Sequence, residues 1–185
     1  IAGVAGCSPY LAGLIEKEAA WVSGVAADFE RQAVDEIEGT AHLAPDALAD
    51  GLRRAKRRVA LVTALADLGG MWPLEKVTGI LTDLADAACT AALRAALLRQ
   101  IRRGKLPGMG EEDAETAAGM VILAMGKMGA YELNYSSDID LICLFDETRF
   151  DPDDYHEARA SFVRATRKMA AMLNDPTAEG YVFRT

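Results

Sequence analysis

Apolar residues from about Pro9 to Gly104 recur at intervals of three and four, the spacing that lines one side of an α-helix, so this stretch predicts an all-α region. Its clearest part begins at Asp46, where Leu48, Leu52, Ala55, Val59, Val62 and Ala66 form one continuous stripe. Gly69 and Gly70 end that helix in the manner of a left-handed cap, and Pro73 stands where a first helical turn tolerates a missing N–H. Val77, Leu81, Leu84, Ala88, Ala91, Ala95 and Leu98 then repeat the pattern. Two antiparallel helices joined by Gly69-Gly70-Met71-Trp72-Pro73 are expected to pack face to face, with frequent alanines allowing close approach.

Beyond Leu106-Pro107-Gly108-Met109-Gly110 the period changes. The boundary is placed there, giving a helical region over 1–110 and a second region over 111–185. Short apolar runs at Gly119–Met125 and Ile139–Phe145 predict strands, Pro152 to Leu173 predicts a helix with Phe162, Val163, Ala165, Met169 and Met172 on its apolar face, and Gly180–Arg184 predicts a third strand. The fold class is therefore α+β.

Composition narrows the function classes. Of 185 residues, 51% are hydrophobic and 26% charged, which suits one domain, or one domain and part of another. Twenty basic against 28 acidic side chains give a net charge of -8, arguing against a surface built for nonspecific binding of nucleic acid or anionic membranes. Cys7, Cys89 and Cys143 have no metal or disulfide spacing, and His42 and His156 form no metal pair, so a reduced, cytoplasmic protein without a histidine triad is the default. No window of 18 apolar residues occurs, and the opening Ile1–Gly6 lacks the basic flank and length of a signal peptide. The absence of an initial Met and the stop at Thr185 suggest an excised piece. Arg53, Arg54, Lys56, Arg57 and Arg58 form the one dense basic cluster. Its plain reading is a solvated helix face with salt bridges; the sharper one is contact with a phosphate or an acidic partner.

Candidate chemistry concentrates at Asp138-Ile139-Asp140, at the start of the second predicted strand. The two-residue side-chain period puts both carboxylates on one face, about 7 Å apart. A divalent cation resolves their repulsion, and oxygen donors suit Mg²⁺ or Mn²⁺ better than zinc. The preceding strand runs into the Gly-rich turn Met125-Gly126-Lys127-Met128-Gly129, whose backbone can approach phosphate, and the carboxylates return shortly afterwards. Strand, Gly turn, short helix and acidic strand together resemble the nucleotidyltransferase superfamily typified by polymerase β, with Gly126 in the Gly position and Lys127 in place of the usual Ser. Gly126-Lys127-Met128-Gly129 followed by Glu132-Leu133-Asn134-Tyr135-Ser136-Ser137-Asp138-Ile139-Asp140-Leu141-Ile142 strongly resembles the glutamine synthetase adenylyltransferase family. Leu52–Arg58, Ala66–Gly70 and Trp72-Pro73-Leu74 resemble the helical region before that family's first catalytic domain.

The resemblance implies a mixed nucleotidyltransferase sheet truncated at its carboxy-terminal end, and a set of roles. Asp138 and Asp140 would be catalytic and hold Mg²⁺, or Mn²⁺; Gly126, Lys127 and Ser137 would face nucleotide phosphates. For Lys127 an ordinary solvent lysine, and for Ser137 a cap at the strand start, are competing readings. Glu132, Asn134 and Tyr135 are explained by packing and turn-making, and Tyr181 and Phe183 by a strand core. A third carboxylate is expected on a strand after Thr185, so the isolated piece should be a poor enzyme. The implied activity is phosphorolytic removal of AMP from the adenylylated tyrosine of glutamine synthetase, releasing ADP, with glutamine synthetase, ATP or ADP, phosphate and a PII-type signal protein as partners. Two alternatives stand beside it: the adenylylating half, which transfers AMP from ATP, and a regulatory module whose helices bind the PII-type protein.

Overall fold

A computed structural model describes residues 2–25 and 28–185; Ile1, with which the opening apolar run begins, lies outside them. Among the described residues four helices, α1 (Ala2–Cys7), α2 (Pro9–Lys17), α3 (Ala19–Val22) and α4 (Phe29–Gly39), precede the long pair α5 (Leu48–Leu68) and α6 (Leu74–Arg102). There follow β1 (Met120–Ala124), the one-turn α7 (Gly126–Gly129), β2 (Leu141–Phe145) and α8 (Tyr155–Asn174). No described helix is long and apolar enough to cross a membrane.

The long hairpin forms where the apolar stripes place it. Every stripe residue of α5 is buried, and from Val59 to Ala66 the burial extends round the whole helix, because α2 and α3 cover the side that α4 and α6 leave open. At its end Met71 N–H donates to the Ala66 carbonyl and Gly70 N–H to that of Asp67, with Gly70 at φ 66°. These are the two bonds of a Schellman cap, and the left-handed backbone they require favours glycine. One hydrophobic cluster then runs from Ala33 through α5, α6, Met128, Leu133, Ile139 and α8 to Val182 and Phe183.

The sheet has two antiparallel strands, with Met120 opposite Phe145 and Ala124 opposite Leu141. Ile122, Ala124, Leu141, Cys143 and Phe145 pack against the core, where Phe145 stacks on Phe162 of α8 at 4.6 Å. Val121, Leu123, Ile142 and Leu144 are exposed on the other face.

Three expectations need correction. Gly180–Arg184 is not a ladder strand: the N–H groups of Val182 and Phe183 both donate to the Leu173 carbonyl at the end of α8, and Val182 and Phe183 fill the core. Strand β2 begins at Leu141, so Asp138 and Asp140 precede it. On α8, whose first residue is Tyr155, Phe162, Ala165 and Met169 are buried but Val163 is exposed, since it projects away from the α6 contact.

Candidate functional site

The turn after β1 depends on two glycines. Gly126 has φ 56°, a conformation side chains disfavour, and a Cβ there would sit 3.7 Å from Asp140 Oδ2. Gly129 touches the Ala124 carbonyl oxygen so closely that any Cβ would overlap it, which is how α7 folds back onto the end of its own strand. The chain then passes Tyr131 at φ 61° and closes a turn at Asn134, whose Oδ1 accepts from Ser136 N–H and from the Ser137 hydroxyl at 2.7 Å.

Asp138 and Asp140 are exposed on either side of Ile139, which is 1% exposed. Ile139 N–H donates to the Arg184 carbonyl, while the Asp140 carbonyl accepts from Met125 N–H, both at 2.9 Å. The acidic segment is thus held between the end of β1 and the carboxy-terminal segment. Arg184 also reaches Asp138, Nε to Oδ1 at 2.8 Å. Gly126 and Asp140 are brought together; Lys127 is exposed, and the Ser137 hydroxyl is engaged in the Asn134 turn.

Tyr135 ties this loop to the helical hairpin, and Tyr131 lies near its acids. Tyr135 donates to Asp67 Oδ2 at 3.2 Å, and burial, then the Asp67 charge, raises its phenol above the ordinary range. Tyr131 lies beside Asp83 and Asp86 of α6, whose charges raise its phenol as well. Asn134 and Tyr135, for which packing and turn-making sufficed in the sequence, do both: Asn134 closes the turn and Tyr135 anchors the loop.

The basic cluster is largely structural. Arg53, 2% exposed, donates to the carbonyls of Ala49, Met172, Asp175 and Gly180. Arg57 bonds Glu18 and Glu179, Arg58 bonds Glu18 and Glu36, and Lys56 Nζ donates to the Val182 carbonyl at 3.0 Å beneath the Phe183 ring. Salt bridges form as the plain reading expects, but most of the face is covered rather than solvated; Arg54 alone of the five is exposed. The spacing of Arg53, Lys56 and Arg57 by three and four was the available signal: one helix face carrying three cations against one segment.

Burial pushes the Lys56 ammonium down from 10.5 to about 8. Above that value the folded chain binds this proton less than the unfolded chain does, so the contribution of Lys56 to stability rises with pH from about 8 towards 10.5 and is level below it. Urea unfolding at pH 8 and pH 10 should show this rise in the wild type relative to Lys56→Met. Identical pH dependence in the two proteins would place the ammonium in water.

Comparison with known proteins agrees with these motifs. The sequence model of the glutamate-ammonia ligase adenylyltransferase family matches residues 1–185. A bifunctional glutamine synthetase adenylyltransferase/adenylyl-removing enzyme from Bradyrhizobium sp. is 42% identical over 197 residues, covering 98% of this chain and 19% of that protein. The protein of the same name from Caulobacter vibrioides is 38% identical over 189 residues, covering 100% and 19%. One from Bradyrhizobium diazoefficiens is 51% identical over 135 residues, covering 72% and 13%. The chain spans about a fifth of the length of the first two relatives. With a match over its whole length and the Gly turn and acidic pair in one place, the chain belongs to the glutamate-ammonia ligase adenylyltransferase family and matches that family's amino-terminal part.

Proposed function

We propose that this chain supplies part of a nucleotidyltransferase site that removes AMP from the adenylylated tyrosine of glutamine synthetase by phosphorolysis. The observation that carries the reading is the placement of Gly126, bare of any side chain, against Asp140, with Asp138 exposed two residues away. The names of the relatives supply the substrate: adenylylation and its removal on glutamine synthetase.

Two exposed carboxylates flanking a buried isoleucine suit a hard cation of the Mg²⁺ or Mn²⁺ type, which often takes one or two protein carboxylates and completes its shell with water and substrate phosphate. Among the described residues no group of three or more His, Cys, Asp or Glu is placed to hold a metal, so the protein's share here is the pair Asp138 and Asp140. When bound, such a cation would draw charge from the phosphate oxygens. In the reaction an oxygen of hydrogen phosphate forms a bond to the α-phosphorus as the bond from that phosphorus to the tyrosine oxygen breaks. The products are ADP and tyrosine, the phenol taking the proton that the phosphate loses. Gly126 leaves room beside Asp140, and the exposed Lys127 ammonium offsets negative charge as two anions approach.

The test is to supply a full-length protein containing this chain with adenylylated glutamine synthetase, Mg²⁺ and inorganic phosphate, and to follow ADP. Phosphate-dependent ADP release that ceases when Asp138 and Asp140 are both changed to Asn is the expected result. If the double change instead stops AMP transfer from ATP to unmodified glutamine synthetase and spares ADP release, the chain belongs to the adenylylating half.

A further inference from the structure

Arg184 ends on the carboxylate of Asp138, yet both side chains are more than half exposed, at 57% and 62%. A pair so open to water contributes little to folding. Its backbone is nevertheless fixed, because the Arg184 carbonyl holds Ile139, the residue between the two acids. The guanidinium is thus anchored next to the carboxylates by a bond that does not depend on its charge. A planar fork of donors in that position matches a tetrahedral oxyanion better than an ammonium does.

We propose that Arg184 is a phosphate-binding residue that rests on Asp138 until a divalent cation takes that carboxylate, and then binds the incoming inorganic phosphate. This rests on the metal role proposed for Asp138 and Asp140. While Arg184 lies on Oδ1 of Asp138 it competes with the cation for a ligand oxygen; once displaced, it stands beside the cation with its N–H groups free. Lys127 lacks this coupling, since among the described residues its exposed side chain bonds neither acid. The ligand chemistry is a phosphoryl oxyanion, for which inorganic phosphate and the phosphate of AMP are the two sources.

The experiment uses a full-length protein containing this chain and Mn²⁺, followed by water-proton relaxation, with thermal melts confirming that each variant is folded. Arg184→Gln should bind Mn²⁺ about two- to five-fold more tightly than wild type at low salt, the gain shrinking as salt rises. With Mn²⁺ bound, the same variant should bind inorganic phosphate about tenfold more weakly, and Arg184→Lys should fall between. AMP affinity should change little. Unchanged Mn²⁺ and phosphate affinities in Arg184→Gln, with wild type binding Mn²⁺ in a manner lost in Asp138→Asn, would leave Arg184 a surface ion pair and overturn the proposal alone. A loss of AMP affinity with phosphate affinity intact would overturn it in favour of the nucleotide's own phosphate. Failure of the wild type to bind Mn²⁺ through Asp138 and Asp140 would overturn both the metal reading and this one.

Discussion

Asp140→Asn, in a full-length protein containing this chain, is expected to lower phosphate-dependent ADP release from adenylylated glutamine synthetase by at least about a hundredfold. The substitution keeps the shape of the side chain and removes its charge. Because Asp140 is exposed and contributes no core volume, stability should stay within about 0.5 kcal/mol of wild type. Asp138→Asn should have a similar effect on activity, and it also frees Arg184 from its partner. Retained turnover in both variants would dismiss the acidic pair as the metal-binding element. A parallel collapse in turnover and melting temperature would mean that the carboxylates act on the fold.

Arg53→Met is expected to cause the largest loss of stability, about 2 to 3 kcal/mol, although Met keeps much of the volume and of the apolar stem. The guanidinium donates to four carbonyls, including those of Met172 and Asp175 at the end of α8 and of Gly180. The first two lie where a helix leaves its last carbonyls without intrahelical partners and where cations are favoured. Removing the donor takes a partner from the Met172 and Asp175 oxygens, while the Gly180 oxygen keeps the N–H of Thr177. Urea unfolding measures the loss; Arg54→Met, at the exposed neighbour, should cost less than about 0.5 kcal/mol. Equal effects at the two positions would contradict the buried clamp.

The difference between these arginines marks where the sequence ceases to be legible. The α5–α6 hairpin could be read because its stripe and its Gly70 cap are local properties, each decided within a few residues. Strand β1, the Gly turn and the proximity of Gly126 to Asp140 were legible too, the last through the motif. A cation that meets carbonyls more than a hundred residues away is marked only by its place on the helix: Arg53, Lys56 and Arg57 share one face, but the spacing does not say which segment covers it. The Gly180–Arg184 segment misled for the same reason: branched and aromatic residues suit a strand, but its N–H groups go to Leu173 and its carbonyls to α5 and Ile139. The tether from Tyr135 to Asp67 is likewise tertiary, with no spacing to announce it.

The bond from Arg53 to Gly180 spans 127 positions in sequence. During synthesis a chain emerges from its amino end, so α5 and α6 can pair long before Gly180 leaves the ribosome. The Gly turn and both aspartates also appear ahead of the segment whose Arg184 carbonyl fixes Ile139. Local helices close quickly, whereas a contact across so long a loop carries its full closure entropy before any stabilisation returns. The order of assembly is then set by connectivity: a helical scaffold first, with its cationic row waiting, and the acidic pair brought into register last, when the carboxy-terminal segment docks onto α5.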